Sequence, residues 1–216
     1  MAKSGGAGSA GRAADPRGMA TRAALVEAAT AALQEVGFAG ASAREIARRA
    51  GCRQSQVFYH FGSVAGVLLA ALDAASQRRR AAFDGLVSDA RDIGDLLDAA
   101  ADIIRADLDS GDVTVLVEML AGARLVPGLD AEVMARLHPW QEFAERAVAT
   151  ALPEGPIARL APVPDLAHAV VAGILGLELL AHVSGDRETP GRILDEATGA
   201  VALLTLLVTA RRTESP

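Results

Sequence analysis

The feature that most constrains the fold is a pair of short helical patterns joined by an Ala-Gly turn, in residues 42–61. Ser42 and Glu45 have the spacing of a capping box, in which each residue satisfies a free backbone N–H of the first helical turn. Gly51 can adopt the left-handed backbone conformation that a close connection between two helices needs. The stretch therefore predicts two short helices packed at a tight turn.

The second helix of the pair presents closely spaced hydrogen-bonding side chains, and apolar Val57, Phe58 and Phe61 are expected to anchor it. Arg, Gln, Ser and aromatic side chains are the groups that contact base edges and phosphates when a helix enters the major groove of DNA. No nucleophile, base or metal-binding set accompanies them, so no catalytic residue and no metal site is predicted. The pair is therefore predicted to bind DNA. Its hydrogen-bonding residues are Arg53, Gln54, Ser55, Gln56, Tyr59 and His60.

The composition and the spacing of apolar residues predict an all-α protein of about nine helices. Hydrophobic residues make up 51% of the chain but aromatic residues only 3%, so the core is expected to consist mainly of Ala, Leu and Val. Thr21 is a candidate N-cap for the first helix, and Gly37 is expected to end it. The expected helices are Thr21–Val36, Ser42–Ala50, Arg53–His60, Ser63–Val87, Ile93–Leu108, Val113–Val126, Leu129–Leu152, Pro164–Ser184 and Thr189–Arg212.

The first three helices are expected to form a small N-terminal head. A core of this size is marginally stable alone, so the head should lean on the fourth helix, which is long enough to reach the rest of the protein as well. A tilt at the far end of that helix would then be felt in the head. The expected core residues of the head are Leu25, Leu33, Phe38, Ile46, Val57, Phe58 and Phe61.

Charge is unevenly distributed along the chain. Residues 1–60 contain eight Lys and Arg against four Asp and Glu, a net charge of +4. The rest of the chain contains 13 basic and 23 acidic residues, a net charge of −10. A basic end on an acidic chain is the expected layout when only one end of a protein meets phosphate.

Cysteine usage and hydropathy indicate a soluble protein of a reducing compartment. Cys52 is the single cysteine, which excludes an internal disulfide. The first twenty residues lack the apolar run of a signal peptide. The most apolar-looking segment, Val163–Val183, contains four titratable side chains, so no membrane span is expected. The expected location is the cytoplasm, in association with the nucleoid.

No cofactor site is predicted. Asp165 and His168 share a helix face, as do Glu178 and His182, but a di-metal site needs several such sets from different helices. These two pairs are therefore expected to be surface ion pairs or satisfied polar contacts. Residues 6–11 match a dinucleotide-binding fingerprint formally, but no strand precedes them.

A set of residues between positions 21 and 68 has a characteristic spacing. The set consists of Thr21-Arg22, Ala28-Ala29, Gly37-Phe38, Ser42, Glu45-Ile46-Ala47, Ala50-Gly51 and His60-Phe61. They resemble the DNA-binding head of the tetracycline-repressor-like (TetR) family of transcriptional regulators. Members of that family are all-α homodimers in which three N-terminal helices bind DNA and a variable helical body binds a small effector. Residues 1–17 are rich in Gly, Ala, Ser and Arg and are expected to form a disordered basic arm. The resemblance implies a DNA-binding domain over 18–78. An effector-binding and dimerisation domain would follow over 79–216.

The resemblance also implies DNA contacts position by position. Arg44 would meet phosphate, and Tyr59 and His60 would lie near the DNA backbone. Gln54, Ser55 and Gln56, near the start of the second helix, would face base edges. The full expected set is Thr21, Arg22, Ser42, Arg44, Arg53, Gln54, Ser55, Gln56, Tyr59 and His60.

Three positions depart from the family pattern. Phe58 stands where the family usually has Tyr, and Val64 replaces the usual Lys, so two phosphate contacts are missing. Arg53 takes a position often held by a capping Ser, which exchanges a cap of about 1 kcal/mol for a positive charge beside DNA. Phosphate binding is therefore expected to depend more on Arg53.

The body is expected to supply a subunit interface and an effector pocket. The last two helices are apolar and carry small residues, which allows close packing between subunits. Two heads would then read a palindromic double-stranded operator, one half-site each. A small, mostly apolar effector is expected to bind the body, tilt the fourth helix and release a repressor from DNA. The expected pocket residues are Met119, Leu120, Trp140, Phe143 and His168.

Two other readings stay open. The chain could be a small helical ligand-binding protein or enzyme whose DNA-binding head is vestigial. It could equally be an activator, or a DNA-binding protein without an effector, because the sequence does not distinguish either from a repressor.

Overall fold

The computed structural model describes residues 16–88, 91–151 and 162–213. Within those ranges it contains nine α-helices, one 3-10 turn and no strand, which confirms the all-α prediction. Residues 1–15 of the expected arm and Leu152 of the seventh expected helix lie outside the described residues. The helices are α1 (Pro16–Gly40), α2 (Ala43–Arg49), α3 (Ser55–Phe61), α4 (Val64–Ser88), α5 (Ile93–Ser110), α6 (Asp112–Gly122), α7 (Leu129–Ala151), α8 (Val163–Ser184) and α9 (Thr189–Thr213). The 3-10 turn, Ala123–Leu125, follows α6.

The first helix confirms one of its two predicted boundaries. Gly37 has φ 69° and ψ 179°, so helical geometry breaks there as expected. Thr21 is not the N-cap, because α1 is already helical from Pro16 onwards. The Thr21 hydroxyl instead donates a hydrogen bond to the carbonyl of Arg17, at 2.9 Å.

Half of the predicted capping box of α2 is present. The Ser42 hydroxyl accepts a hydrogen bond from the Glu45 N–H at 3.3 Å. The predicted bond from the Glu45 side chain back to the Ser42 backbone is wrong. The Glu45 carboxylate instead binds Arg48 (Nη2 to Oε1, 2.7 Å) and Arg49 (Nε to Oε1, 2.6 Å). Charge-assisted hydrogen bonds are stronger than a bond to a neutral backbone N–H. The hydrogen bond from Arg48, followed in size of effect by that from Arg49, lowers the pKa of Glu45 to about 2.

The core of the head continues into α4. Six of the seven expected core residues are buried or pack against this core, but Phe58 is 47% exposed, so its expected place as an anchor is wrong. The start of α4 adds Val67, Leu68 and Leu72, all buried. Further along, α4 packs against α5 and α7. The expectation that one helix belongs to both the head and the body is confirmed.

A second connection between head and body runs through α6. The Phe38 N–H donates to Glu118 Oε2 at 2.7 Å, and the Gln34 side-chain amide donates to the Gly111 carbonyl at 3.0 Å. Gly122 allows the Phe38 ring to lie against α6, since a Cβ at that position would be 2.2 Å from the ring. The end of α1 is therefore fixed to α6 by hydrogen bonds and by close packing.

We expect Gly122→Ala to destabilise the protein by about 1–3 kcal/mol, because the added methyl group overlaps the Phe38 ring. Urea unfolding measures this loss. In a Phe38→Ala background the ring is absent, so the same substitution should cost much less. Equal costs in the two backgrounds would show that the ring is not in contact with α6.

Candidate DNA-binding surface and body cavity

The third helix is anchored by one apolar residue and exposes most of the others. Val57 is fully buried, whereas Tyr59 is 81% exposed. The helix begins at Ser55, two residues later than predicted, and Gln54 lies at its N-cap position without a side-chain capping bond. Arg53, Gln54 and Ser55 are exposed, and Gln56 is partly exposed. The residues expected to read base edges are therefore accessible.

Two arginines of the head carry charge that no neighbouring acid neutralises. Arg44 and Arg53 are exposed and form no ion pair with any described residue. By contrast, Arg48 is paired with Glu45, and Arg49 is paired with both Glu45 and Glu35, the latter at 2.8 Å. Charge available for phosphate thus lies at the start of α2 and just before α3.

The remaining expected contacts also lie in the head. The Arg22 guanidinium lies over the Phe61 ring at 4.8 Å, which ties α1 to the end of α3. Tyr59 and His60 form an edge-to-face pair with ring centroids 4.9 Å apart. Ser42 and Thr21 already make local hydrogen bonds. The structure places all ten expected DNA-binding residues in α1, α2, α3 and the turns beside them, and their contacts with DNA stay a prediction.

Residues 25–71 match the family of bacterial regulatory proteins, tetR family. The head is a TetR-family DNA-binding domain. The resemblance predicted for the head is thus confirmed, and the matched residues contain the helix–turn–helix. No curated protein matches the chain.

Solved structures resemble the TetR-type fold of the whole described chain. A TetR-family regulator of Rhodococcus sp. has a TM-score of 0.70 and 23% identity, over 86% of this chain and 98% of its own. A TetR-family member of Streptomyces coelicolor A3 has a TM-score of 0.61 and 25% identity, over 82% and 96%. The regulator FadR of Bacillus subtilis, solved with stearoyl-CoA, has a TM-score of 0.66 and 13% identity, over 82% and 96%. These likenesses show the fold.

A cavity of about 80 Å³ lies between α4, α5, α6, α7 and α8 of the body. Its lining is apolar apart from the guanidinium of Arg79 and the indole of Trp140. It is lined by Arg79, Phe83, Leu96, Ala100, Ile103, Leu116, Leu137, Trp140, Phe143, Ala144, Ala147, Val148, Val170, Val171, Ile174 and Leu175.

The structure brings only two of the five expected pocket residues together. Trp140 and Phe143 line the cavity, with ring centroids 6.1 Å apart. Met119 is fully buried in the core that joins α6 to the head, and Leu120 packs against that core. His168 is exposed on α8. These three lie outside the cavity lining because neighbours in sequence on a helix point to different sides of it.

A buried charge cluster lies beside the cavity and was missed by the sequence analysis. The Arg79 guanidinium contacts the carboxyls of Asp107 and Glu178, the latter at 3.0 Å, and all three residues are buried. It also lies over the rings of Trp140 (5.1 Å) and Phe83 (5.9 Å). Arg79 Nε and Glu178 Oε2 are buried and have no hydrogen-bond partner among the described residues.

The expectation that Glu178 and His182 form an ion pair on the helix surface is therefore wrong, because Glu178 is buried and contacts Arg79. Burial raises the pKa of its carboxyl well above the usual value, and the neighbouring Asp107 carboxyl raises it further, while Arg79 opposes both effects. Two sequence features could have indicated this cluster. One is an acid in the middle of the most apolar helix, and the other is the run Arg78-Arg79-Arg80 in α4.

We expect Glu178→Gln to become more stable relative to the unmodified protein as pH rises. Folded Glu178 keeps its proton above its ordinary pKa of 4.5, whereas the unfolded chain loses it there. Native stability therefore falls with pH in that window, and glutamine has no proton to lose. Urea unfolding between about pH 5 and pH 8 measures the difference. Parallel curves for the two proteins would show that Glu178 is ionised when buried; Glu196→Gln, at an exposed site, is the control.

Proposed function

We propose that the chain is a non-enzymatic, dimeric transcriptional repressor of the cytoplasm, associated with the nucleoid and released from its operator by a small, mostly apolar effector. The observation that carries the proposal is the TetR-type head, in which the start of α3 is exposed. Arg44 and Arg53 are also exposed and form no ion pair with any described residue. Residues 18–78 form the DNA-binding domain. Residues 79–216 form the effector-binding and dimerisation domain, so the boundary falls within α4.

The head binds DNA through two kinds of contact. Arg44 and Arg53 bind phosphate and supply affinity that is independent of sequence. Gln54, Ser55 and Gln56 project from the start of α3 towards base edges, where Gln prefers adenine. Tyr59 and His60 lie beside the DNA backbone, and Tyr59 offers a hydroxyl next to the position where Phe58 lacks one.

We expect Arg53→Ala to weaken binding to every DNA sequence and to reduce the slope of log K against log salt by about one unit, since one phosphate contact is lost. Gel shifts at several salt concentrations measure this, with a duplex selected by the protein from a random pool and an unrelated duplex. Arg146→Ala removes an exposed arginine of α7, outside the proposed subunit interface, and should leave both binding constants unchanged. An unaltered slope in Arg53→Ala would remove the assigned contact.

Dimerisation through α8 and α9 places two heads on one palindromic operator. Among the described helices, α8 is by length and composition apolar enough to cross a membrane, yet only 17% of its most apolar stretch is buried. Its exposed side includes Leu179, Leu180 and Val183, and α9 adds Ile193. An added Cβ at Gly173, Gly176 or Gly199 would meet nothing within 4 Å. A second copy of the chain covers this face.

We expect Leu180→Glu to convert the dimer to monomers, because a charge at a buried subunit interface is left without a partner. Sedimentation velocity measures the change, and operator affinity should fall with it. Leu125→Glu is the matched control, since Leu125 is 72% exposed and Leu180 67%, but Leu125 lies in the 3-10 turn away from α8. A Leu180→Glu protein that stays dimeric would place the interface elsewhere.

Two helices link the cavity to the head. α4 contributes Arg79 and Phe83 to the lining and its other end to the head core. α6 contributes Leu116 to the lining and, two residues further on, Glu118 to the bond with the Phe38 N–H. A ligand that moves either helix alters the position of the head, and a tenfold loss of DNA affinity requires only about 1.4 kcal/mol of coupling.

A further inference from the structure

The cavity is too small for a long ligand in the state observed. Its volume of about 80 Å³ is roughly half of the ~150 Å³ of an apolar cavity that admits benzene. A ligand that fits with little rearrangement has only a few carbon atoms. The cavity wall consists of packed aliphatic and aromatic side chains from five helices, which resist large expansion.

Arg79 provides the cavity with one hydrogen-bond donor that lacks an acceptor. Its Nη2 is engaged by Asp107 and Glu178, while its Nε–H is buried without a partner. An unsatisfied buried donor costs about 1–3 kcal/mol. Arg79 lines the cavity and lies over Trp140, but its Nε has almost no accessible surface. An acceptor atom on a bound ligand therefore reaches the Nε–H only when the Arg79 side chain turns towards the cavity.

The same cluster disfavours an anionic ligand. Two carboxyl groups already surround the guanidinium, and the positive charge of Arg79 is balanced by Asp107. A ligand carboxylate or phosphate would enter an apolar space in which Arg79, already paired with those two acids, is the one cation among the lining residues. Burial of a charge without a partner is strongly unfavourable.

We propose that the effector is a compact neutral molecule with one hydrogen-bond acceptor, such as a small ketone, whose acceptor binds the Arg79 Nε–H and whose carbon frame fills the apolar cavity. The inference rests on the proposed function, because it identifies the chemical class of that effector. The proposed effector differs from stearoyl-CoA, the long anionic ligand in the FadR structure.

The test compares isosteric ligands in the unmodified full-length protein. Fluorescence of Trp140, the single tryptophan, reports binding of cyclopentanone, methylenecyclopentane, cyclopentanecarboxylate and stearoyl-CoA. Cyclopentanone should bind at least about fivefold more tightly than methylenecyclopentane, which has the same shape without the acceptor. The two anionic ligands should bind more weakly than cyclopentanone. Equal binding of the two neutral ligands, or tighter binding of either anion, would overturn the proposal.

Two variants locate the site. Ala144→Leu fills the cavity without altering Arg79 and should abolish binding of both neutral ligands. Arg79→Lys keeps the positive charge but removes the Nε–H, and should bring cyclopentanone to the affinity of methylenecyclopentane. Unchanged cyclopentanone binding in Ala144→Leu would place the ligand elsewhere and contradict the proposal. The comparison in the unmodified protein decides the question even if Arg79→Lys fails to fold.

DNA binding is measured on the same preparations by gel shift. A protein that binds its selected duplex but does not bind cyclopentanone contradicts the inference about the ligand and leaves the proposed regulator intact. A protein that binds cyclopentanone through Arg79 but binds no DNA supports the ligand site and contradicts the proposed function.

Discussion

The buried guanidinium of Arg79 is the interaction on which the arrangement of the body depends. It holds α4 to Asp107 of α5 and to Glu178 of α8 in a space that excludes water. Breaking such a buried set by removing one member typically costs about 3–5 kcal/mol, because a charge is left unpaired. The three helices therefore have one favourable relative position.

That constraint reaches the head because α4 is continuous from Val64 to Ser88. Its first turns complete a head core that is too small to be stable alone, and Arg79 and Phe83 of the same helix face the cavity. The bond between Phe38 and Glu118 adds a second connection through α6. Head position and cavity shape are thus two properties of the same pair of helices, which is the physical requirement for coupling between distinct sites.

Local rules of helix capping and turn geometry predicted the main turns of the head. The Ser42 cap, the break at Gly37 and the positive φ of Gly51 follow from short-range stereochemistry that any chain obeys. Phe58 was misplaced because a helix of seven residues buries one narrow side, and Val57 occupies it.

Features that depend on tertiary packing could not be predicted in the same way. Arg79, Asp107 and Glu178 are separated by up to 99 positions, and no periodicity indicates that they meet. The cavity likewise depends on how five helices pack, so only Trp140 and Phe143 among the five expected residues line it. Sequence patterns showed which helices are apolar, but not which sides of those helices face one another.

The distance between the two heads of the proposed dimer tests the coupling of cavity and head most directly. Spin labels on Ala39→Cys, exposed near the end of α1, in a Cys52→Ser background allow pulsed EPR to measure that distance. Saturating cyclopentanone should shift the distribution away from the one adopted on the selected DNA duplex, and Ala144→Leu should abolish the shift. A distribution that stays unchanged while Trp140 fluorescence reports a filled cavity would contradict the account.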